Sequence, residues 1–479
     1  MTEPWSPFGA SSVILEEFRS WVEPLDALEA VRGSRNPVLL LSGLPAHPQS
    51  RFSILAWDPA EVLTVRGSET FLSGRVLAPR RMGSAPPGDP FELLRALLPA
   101  DAALTLPGIP FAGGAIGYLG YGLRRHLERL PGRPPDPLGH PDLWFGLYDA
   151  AVVFDAEAGR VALIALDRSD ASNGSRARRR LGEMRDRLAA ARPGDPAVSG
   201  SSEGTATLVT PRAEYLARIG RALDLIGAGD LYQVNLSHRI EASCVTDPMA
   251  LFRRMAQINP APFAAYLDAG PFQVIASSPE RFLALQGERA WSSPIKGTRP
   301  RGATPEEDAR LARELSSSPK ERAENVMITD LVRNDLGRVA VPGSVRVVNL
   351  CALESFATVH HLVSTIEGRL FPGRDRIDLL KALFPGGSMT GAPKVRAMEV
   401  IDDLEAEERG IYAGSIGYLS LDGRLDLNIV IRTLVCSGGR AHLRVGGAIV
   451  ADSDPDREFR ETLDKARALL QVLRAELKS

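Results

Sequence analysis

The sequence predicts an α+β protein dominated by strands, without the alternating strand–helix pattern of a parallel sheet. Three observations carry this. Residues 1–165 fall into short apolar runs at 37–42, 52–57, 112–118, 149–154 and 160–166, separated by Pro- and Gly-rich stretches such as 84–90 and 131–141 rather than by helices. Two further runs, 281–285 and 289–293, flank a turn containing Gly287, as in a hairpin. The clearest helices, 319–337 and 452–470, bring their own start signals: Ser318 then Pro319, and Asp454 then Pro455.

Along the chain, an Arg-rich amphipathic helix is predicted near 175–191, followed by the small, polar stretch ARPGDPAVSGSSEGTATL. That stretch is the best linker candidate and divides the chain into 1–195, a linker at 196–211, and 212–479. A helix at 212–228 opens the more densely patterned part. Gly114, Gly117 and Gly120 give GxxGxxG without the context of a dinucleotide fold and read as tight strand packing. Gly386 and Gly391 have P-loop spacing, but Ala392-Pro393-Lys394 follows, which is not a nucleotide site.

Composition narrows the function. The chain has 479 residues, 57 Lys+Arg against 59 Asp+Glu, and a net charge of -2, so no basic field points to nucleic acid. No apolar run approaches the ~20 residues that cross a membrane. No basic, apolar leader opens the sequence. Cys244, Cys351 and Cys436 are odd in number and far apart, which fits a reducing, cytoplasmic setting rather than a disulfide framework. Of 57 basic residues only six are lysine, and the first is Lys296. Arginine keeps its proton, whereas a desolvated lysine becomes a free amine nucleophile, so Lys296 draws attention.

The second half holds the candidate chemistry. In the 281–293 hairpin a loop at 286–287 sets residue 280 opposite 293, and a loop at 287–288 sets it opposite 295; either brings Glu280 and Lys296 to one end. The two form a general acid beside a nucleophile, or an ion pair. Helix 319–337 carries Glu321 and Glu324 at i, i+3, with Glu321 also placed for a capping box. Helix 452–470 carries Glu458 and Glu461 at the same spacing. Two such pairs meeting across a cleft would repel unless a divalent cation joined them, and all-oxygen ligation suits Mg²⁺. The glycine-rich turn at 384–393 opens a helix, an anion-binding arrangement that Lys394 would reinforce. Arg432, on an alternating strand, is placed to fork onto a carboxylate. His361 lies in an apolar strand, where core and catalytic roles are both open. Together these parts expect a small polyanionic substrate, an amine nucleophile and a carboxylic acid.

The same segments resemble the chorismate-utilising enzymes, the family that includes anthranilate synthase component I and aminodeoxychorismate synthase component I. The matching stretches are GDLYQVNLS, SPERF, PIKGT, KERAENVMITDLVRNDLGRV, HLVS, PGGSMTGAPKVRAMEVI, YAGSIGY, NIVIRT and GGAIVADSDPDREFRET. The likeness covers nearly the whole chain and implies two packed antiparallel β-sheets flanked by helices, with the N-terminal half adding strands to both. Lys296, where the anthranilate branch reads PIAGT, points to the aminodeoxychorismate branch, as do the wording Gly387-Ser388-Met389-Thr390 and the segment LLLSGLPAHPQSRF.

What the resemblance implies is specific. Lys296 attacks C2 of chorismate as Glu280 protonates the departing C4 hydroxyl, and ammonia then adds at C4 and expels the lysine. Mg²⁺ takes Glu324 and Glu461 as direct ligands and Glu321 and Glu458 through water. Thr298, His361, Gly391, Lys394, Tyr412, Arg432, Lys465 and the backbone at Gly414–Ser415 and Gly446–Gly447 contact substrate. No GxCxG elbow surrounds any cysteine, so ammonia comes free or from a separate glutamine amidotransferase subunit. The product stays at the aminodeoxy stage. Ser42, Gln49, Ser50, Arg51, Phe52, Pro262, Phe263 and Ala264 match segments that bind tryptophan in some relatives. Ser42-Gly43 replaces the Glu-Ser pair of feedback-regulated members, which sets regulation in doubt. Gly122 stands where relatives often carry Asp.

Overall fold

The computed structural model describes residues 11–44, 47–73, 75–76, 88–131, 134–168, 175–194, 204–356 and 359–478. Two large sheets pack against each other, with helices covering their outer faces. The first runs, in spatial order, Ser11–Phe18, Arg160–Arg168, Ala150–Asp155, Phe52–Ala56, Val38–Leu41, Phe263–Asp268, Gln273–Ser278, Thr433–Ser437, Arg440–Ile449, Gln233–Ser243, Gly204–Leu208 and Ala475–Lys478. The second runs Ile295–Pro300, Val359–Arg369, Arg289–Ser293, Arg281–Gln286, Leu425–Asn428, Ser415–Ser420, Gly114–Leu119, Leu143–Tyr148, Glu61–Arg66, Glu69–Leu72 and Arg75–Val76. Pairing is antiparallel except between Gly204–Leu208 and Ala475–Lys478.

Both sheets take strands from both halves of the chain. Ala264 pairs with Leu41 in the first, and Ser415 pairs with Leu119 in the second. Within the described part of the expected linker, 204–211, Gly204–Leu208 is itself a strand; 196–203 lies outside the described residues. The inner faces meet through Ile54, Val153 and Ile164 of one sheet and Ile116, Trp144 and Ile416 of the other, all buried. Burying such apolar faces stabilises by roughly 25 cal/mol per Å² removed from water.

The GxxGxxG glycines do mark close strand packing. A Cβ at Gly117 would overlap the Trp144 carbonyl oxygen of the neighbouring strand. Gly122 also acquires a physical account, because a Cβ there would overlap Oδ1 of Asp142, whose Oδ2 accepts from the Gly67 N–H. A side chain at 122 would therefore require the Asp142 carboxylate to move.

The elements that build the site are β1 (Gln233–Ser243), β2 (Arg281–Gln286), β3 (Arg289–Ser293), β4 (Ile295–Pro300), α1 (Pro319–Gly337), β5 (Val359–Arg369), α2 (Lys394–Leu404), β6 (Arg440–Ile449) and α3 (Pro455–Leu473). The hairpin of β2 and β3 turns at 287–288, with Gln286 opposite Arg289. A bulge then shifts the register so that Arg281 faces Ser293. Glu280 therefore lands between the two positions the sequence allows. Both helices start as expected: Ser318 accepts from the Glu321 N–H at 3.4 Å, and Asp454 from the Arg457 N–H at 2.9 Å. The return half of the capping box does not form, because the Glu321 carboxylate takes Arg299 at 3.0 Å instead.

Candidate active site

Glu280 and Lys296 sit at the end of the β2–β3 hairpin, where β4 begins. Glu280 is 4% exposed. Burial pushes its carboxyl up to about 7, against the opposing pull of the Ser388 hydroxyl, the Lys296 charge and the Ile295 N–H. At neutral pH it is therefore poised to hold or release a proton, as a general acid requires. Burial also lowers the Lys296 pKa from its usual 10.5; Glu324 opposes this and the Lys465 charge adds to it. Desolvation is the larger cause, as a nucleophilic lysine amine requires.

Lys296 Nζ donates to Asn235 Oδ1 at 3.3 Å. Asn235 Nδ2 in turn donates to the carbonyls of Ser388 and Thr390, at 3.0 and 3.2 Å. Asn235 and Ser388 were not among the candidates drawn from the sequence. The signal for Asn235 was a polar residue on the inner face of the apolar run QVNLS. Gln233, two residues earlier on that face, is fully buried, and its amide atoms have no protein partner.

A second group surrounds Arg432. Thr298 Oγ1 meets His361 Nδ1 at 2.9 Å, and Arg432 Nη2 reaches His361 Nε2 at 3.4 Å. Burial and the Arg432 charge lower the imidazole to about 3, so it is neutral, and Arg432 facing Nε2 makes that nitrogen the acceptor. Burial lowers Arg432 to about 10, and no protein carboxylate compensates it among the described residues. A desolvated guanidinium without a counter-ion is a receptor for an anionic ligand. Tyr412 is raised to about 12 by burial.

The four glutamates face one region from α1 and α3. Glu458 is held by the Ser453 hydroxyl at 2.7 Å, and Glu461 by Lys465 at 2.8 Å. Glu324 has no hydrogen bond or ion pair among the described residues, and its carboxyl is raised by burial and by the charges of Glu321 and Glu458. Burial and Glu461 raise Glu458 as well, while Lys465 lowers Glu461. Among the described residues no three such donors converge on one point as the side chains stand. The donor set still fits a hard dication: all oxygen, partly buried, mutually repulsive, with one carboxylate unpartnered.

Lys465 also donates to the Gly446 carbonyl at 2.9 Å, and a Cβ at Gly447 would lie 3.1 Å from Glu458 Oε2. Gly391 lies against β1, pairing with Val234, where a Cβ would overlap the Gln233 carbonyl. Two expectations need correction. The Lys394 ammonium is bound to Asp335 at 2.7 Å and the Leu383 carbonyl at 2.8 Å, so it braces α2 against α1 instead of facing an anion. The Gly414 N–H donates to the Ile411 carbonyl, its carbonyl accepts from Val430, and the Ser415 hydroxyl donates to the Asn428 carbonyl, so neither the Gly414 N–H nor the Ser415 hydroxyl is a free donor for substrate.

A separate cavity of about 310 Å³ lies between the sheets, within the ~300–1,000 Å³ range of small-molecule sites. Ser42, Gln49, Arg51, Phe52, Pro262, Phe263 and Ala264 line it, and Ser50 does not. The Ser42 hydroxyl is engaged by the Phe52 carbonyl at 2.7 Å, and Arg51 pairs with Asp155 at 2.9 Å.

The family described as chorismate binding enzyme matches residues 39–471. Aminodeoxychorismate synthase component 1 of Salmonella typhimurium is 42% identical over 91% of this chain and 92% of its own. Anthranilate synthase component 1 of Thermus thermophilus is 41% identical over 91% of each. The crystal structure of anthranilate synthase component I from Streptococcus pneumoniae superposes with a TM-score of 0.78 at 33% identity, covering 88% of this chain and 93% of that one. The chain belongs to the chorismate-binding enzyme family.

Proposed function

We propose that the chain converts chorismate and ammonia to 4-amino-4-deoxychorismate, the reaction of aminodeoxychorismate synthase component 1, on the route to para-aminobenzoate and folate. The observation that carries this reading is Lys296, a half-buried amine with a lowered pKa close to a buried carboxyl near 7. As Lys296 Nζ bonds to C2, the ring double bond shifts and the C4 hydroxyl departs as water, taking the Glu280 proton. The new ammonium returns a proton to Glu280. Ammonia then bonds to C4, the double bond shifts back, and the C2–Nζ bond breaks with the Glu280 proton going to Nζ. The net exchange is ammonia for water. Arg432, with His361 fixed by Thr298, supports a site for a substrate carboxylate. Mg²⁺ held by Glu324, Glu461, Glu321 and Glu458 would supply positive charge to the other carboxylate. A glutamine amidotransferase subunit is the proposed ammonia source, and tryptophan the proposed occupant of the cavity between the sheets.

A second reading, amination at C2 with loss of pyruvate, is favoured by one observation: relatives named anthranilate synthase are equally similar. Chromatography of the product from chorismate, Mg²⁺ and excess ammonium separates the two. The expected result is a 4-amino product that Lys296→Ala fails to make. Unimpaired product formation by Lys296→Ala would contradict the reading.

A further inference from the structure

The nucleophile lies on β4 and the acid just before β2, yet both reach one turn. Asn235 on β1 is fixed from every side. Its Nδ2 faces the carbonyls of Ser388 and Thr390, its N–H donates to Thr390 at 2.8 Å, and its carbonyl accepts from Arg409 Nη2 at 2.8 Å. Arg409 is itself held by the buried Glu405 at 2.5 Å and the Met389 carbonyl at 2.8 Å. With two carbonyls on the nitrogen side, the amide cannot flip, so Oδ1 must face Lys296. Ser388, whose carbonyl holds the Asn235 amide, bonds the Glu280 carboxyl through its hydroxyl.

We propose that Asn235 is a positioning residue for the Lys296 nucleophile, registering Nζ and the Glu280 carboxyl to the single turn at 386–391. The inference rests on the amination reading above and adds a residue to it. The choice of side chain is physical. A neutral amide accepts one N–H of an amine and leaves its lone pair directed elsewhere. A carboxylate would bind the ammonium form and hold the proton that attack requires lost. An apolar residue would leave a four-carbon side chain free to rotate, and ångström-scale misplacement costs up to ~10²-fold.

The test is the rate at which chorismate and Mg²⁺, without ammonia, form the covalent adduct on Lys296, followed by rapid quench and mass spectrometry. Asn235→Ala is expected to slow adduct formation by ~10–10²-fold with the KM for chorismate little moved. In a Lys296→Ala background the same change should leave chorismate affinity where it was. Asn235→Asp keeps the shape and the acceptor toward Nζ while giving up the donor to the Ser388 and Thr390 carbonyls, so adduct formation should be slow at neutral pH and recover as the pH is raised. That shift would not follow from a merely structural role, and it stands if the alanine variant fails to fold. An adduct forming at the wild-type rate in Asn235→Ala, or an Asn235→Asp profile unmoved on the pH axis, overturns the inference. Absence of any adduct in the wild-type protein overturns the amination reading instead.

Discussion

Glu280 is buried, and desolvation outweighs the Ser388 hydroxyl, the Lys296 charge and the Ile295 N–H in setting its charge state. Its pKa rises from 4.5 to about 7 on folding. A carboxyl raised in this way adds stability that is fully present below pH 4.5 and is lost as pH climbs through 7. Glu280→Gln removes the titration while keeping the shape. Denaturant melts at pH 8 should therefore find the variant more stable by about 3 kcal/mol, and melts below pH 5 should find it close to wild type. The same variant should turn over ~10²–10⁴-fold more slowly. Lys296 and Glu280 were legible in the sequence because lysine is so scarce and because a hairpin must bring its ends together. Asn235 and Ser388 were not: a polar residue in an apolar run gives no sign of whether it faces core or chemistry, and a serine in a glycine-rich turn reads as turn chemistry. Lys394 misled because its partner, Asp335, lies on another helix that only the fold brings close.

The strands and caps were read well where the signal is local. Ser318-Pro319 and Asp454-Pro455 start helices as capping chemistry requires, and the hairpin forms around Gly287. The bulge within it was invisible, because it arises from β2 pairing at once with β3 and with Leu425–Asn428. Gly204–Leu208 looked like linker because its partners, near residues 240 and 475, are remote in sequence. Close strand packing gives an element-scale prediction. Gly117→Ala places a methyl on the Trp144 carbonyl, where backbone rather than a side chain would have to yield. Overpacking of this kind costs ~1–3 kcal/mol, and the upper end is expected as a lowered midpoint in urea. An unchanged midpoint would mean that the two strands can separate freely there.

Across the whole molecule, the two-sheet fold was expected from family likeness and not from periodicity, which gave only a strand-rich chain. Interleaving explains why. The first sheet places β1, with Asn235, and the Thr433–Ser437 strand next to Arg432, while the second places Glu280, Lys296 and His361; α1 and α3 add the glutamates. The site thus exists only where the two sheets and two helices meet, and no single segment discloses it. The central claim is that this assembly exchanges the C4 hydroxyl of chorismate for an amine and leaves the enolpyruvyl group in place. The most direct measurement is pyruvate released per chorismate consumed, with Mg²⁺ and saturating ammonium, followed with lactate dehydrogenase and NADH. The account predicts chorismate consumption with no stoichiometric pyruvate. One pyruvate per chorismate, with fluorescent anthranilate accumulating, would contradict it.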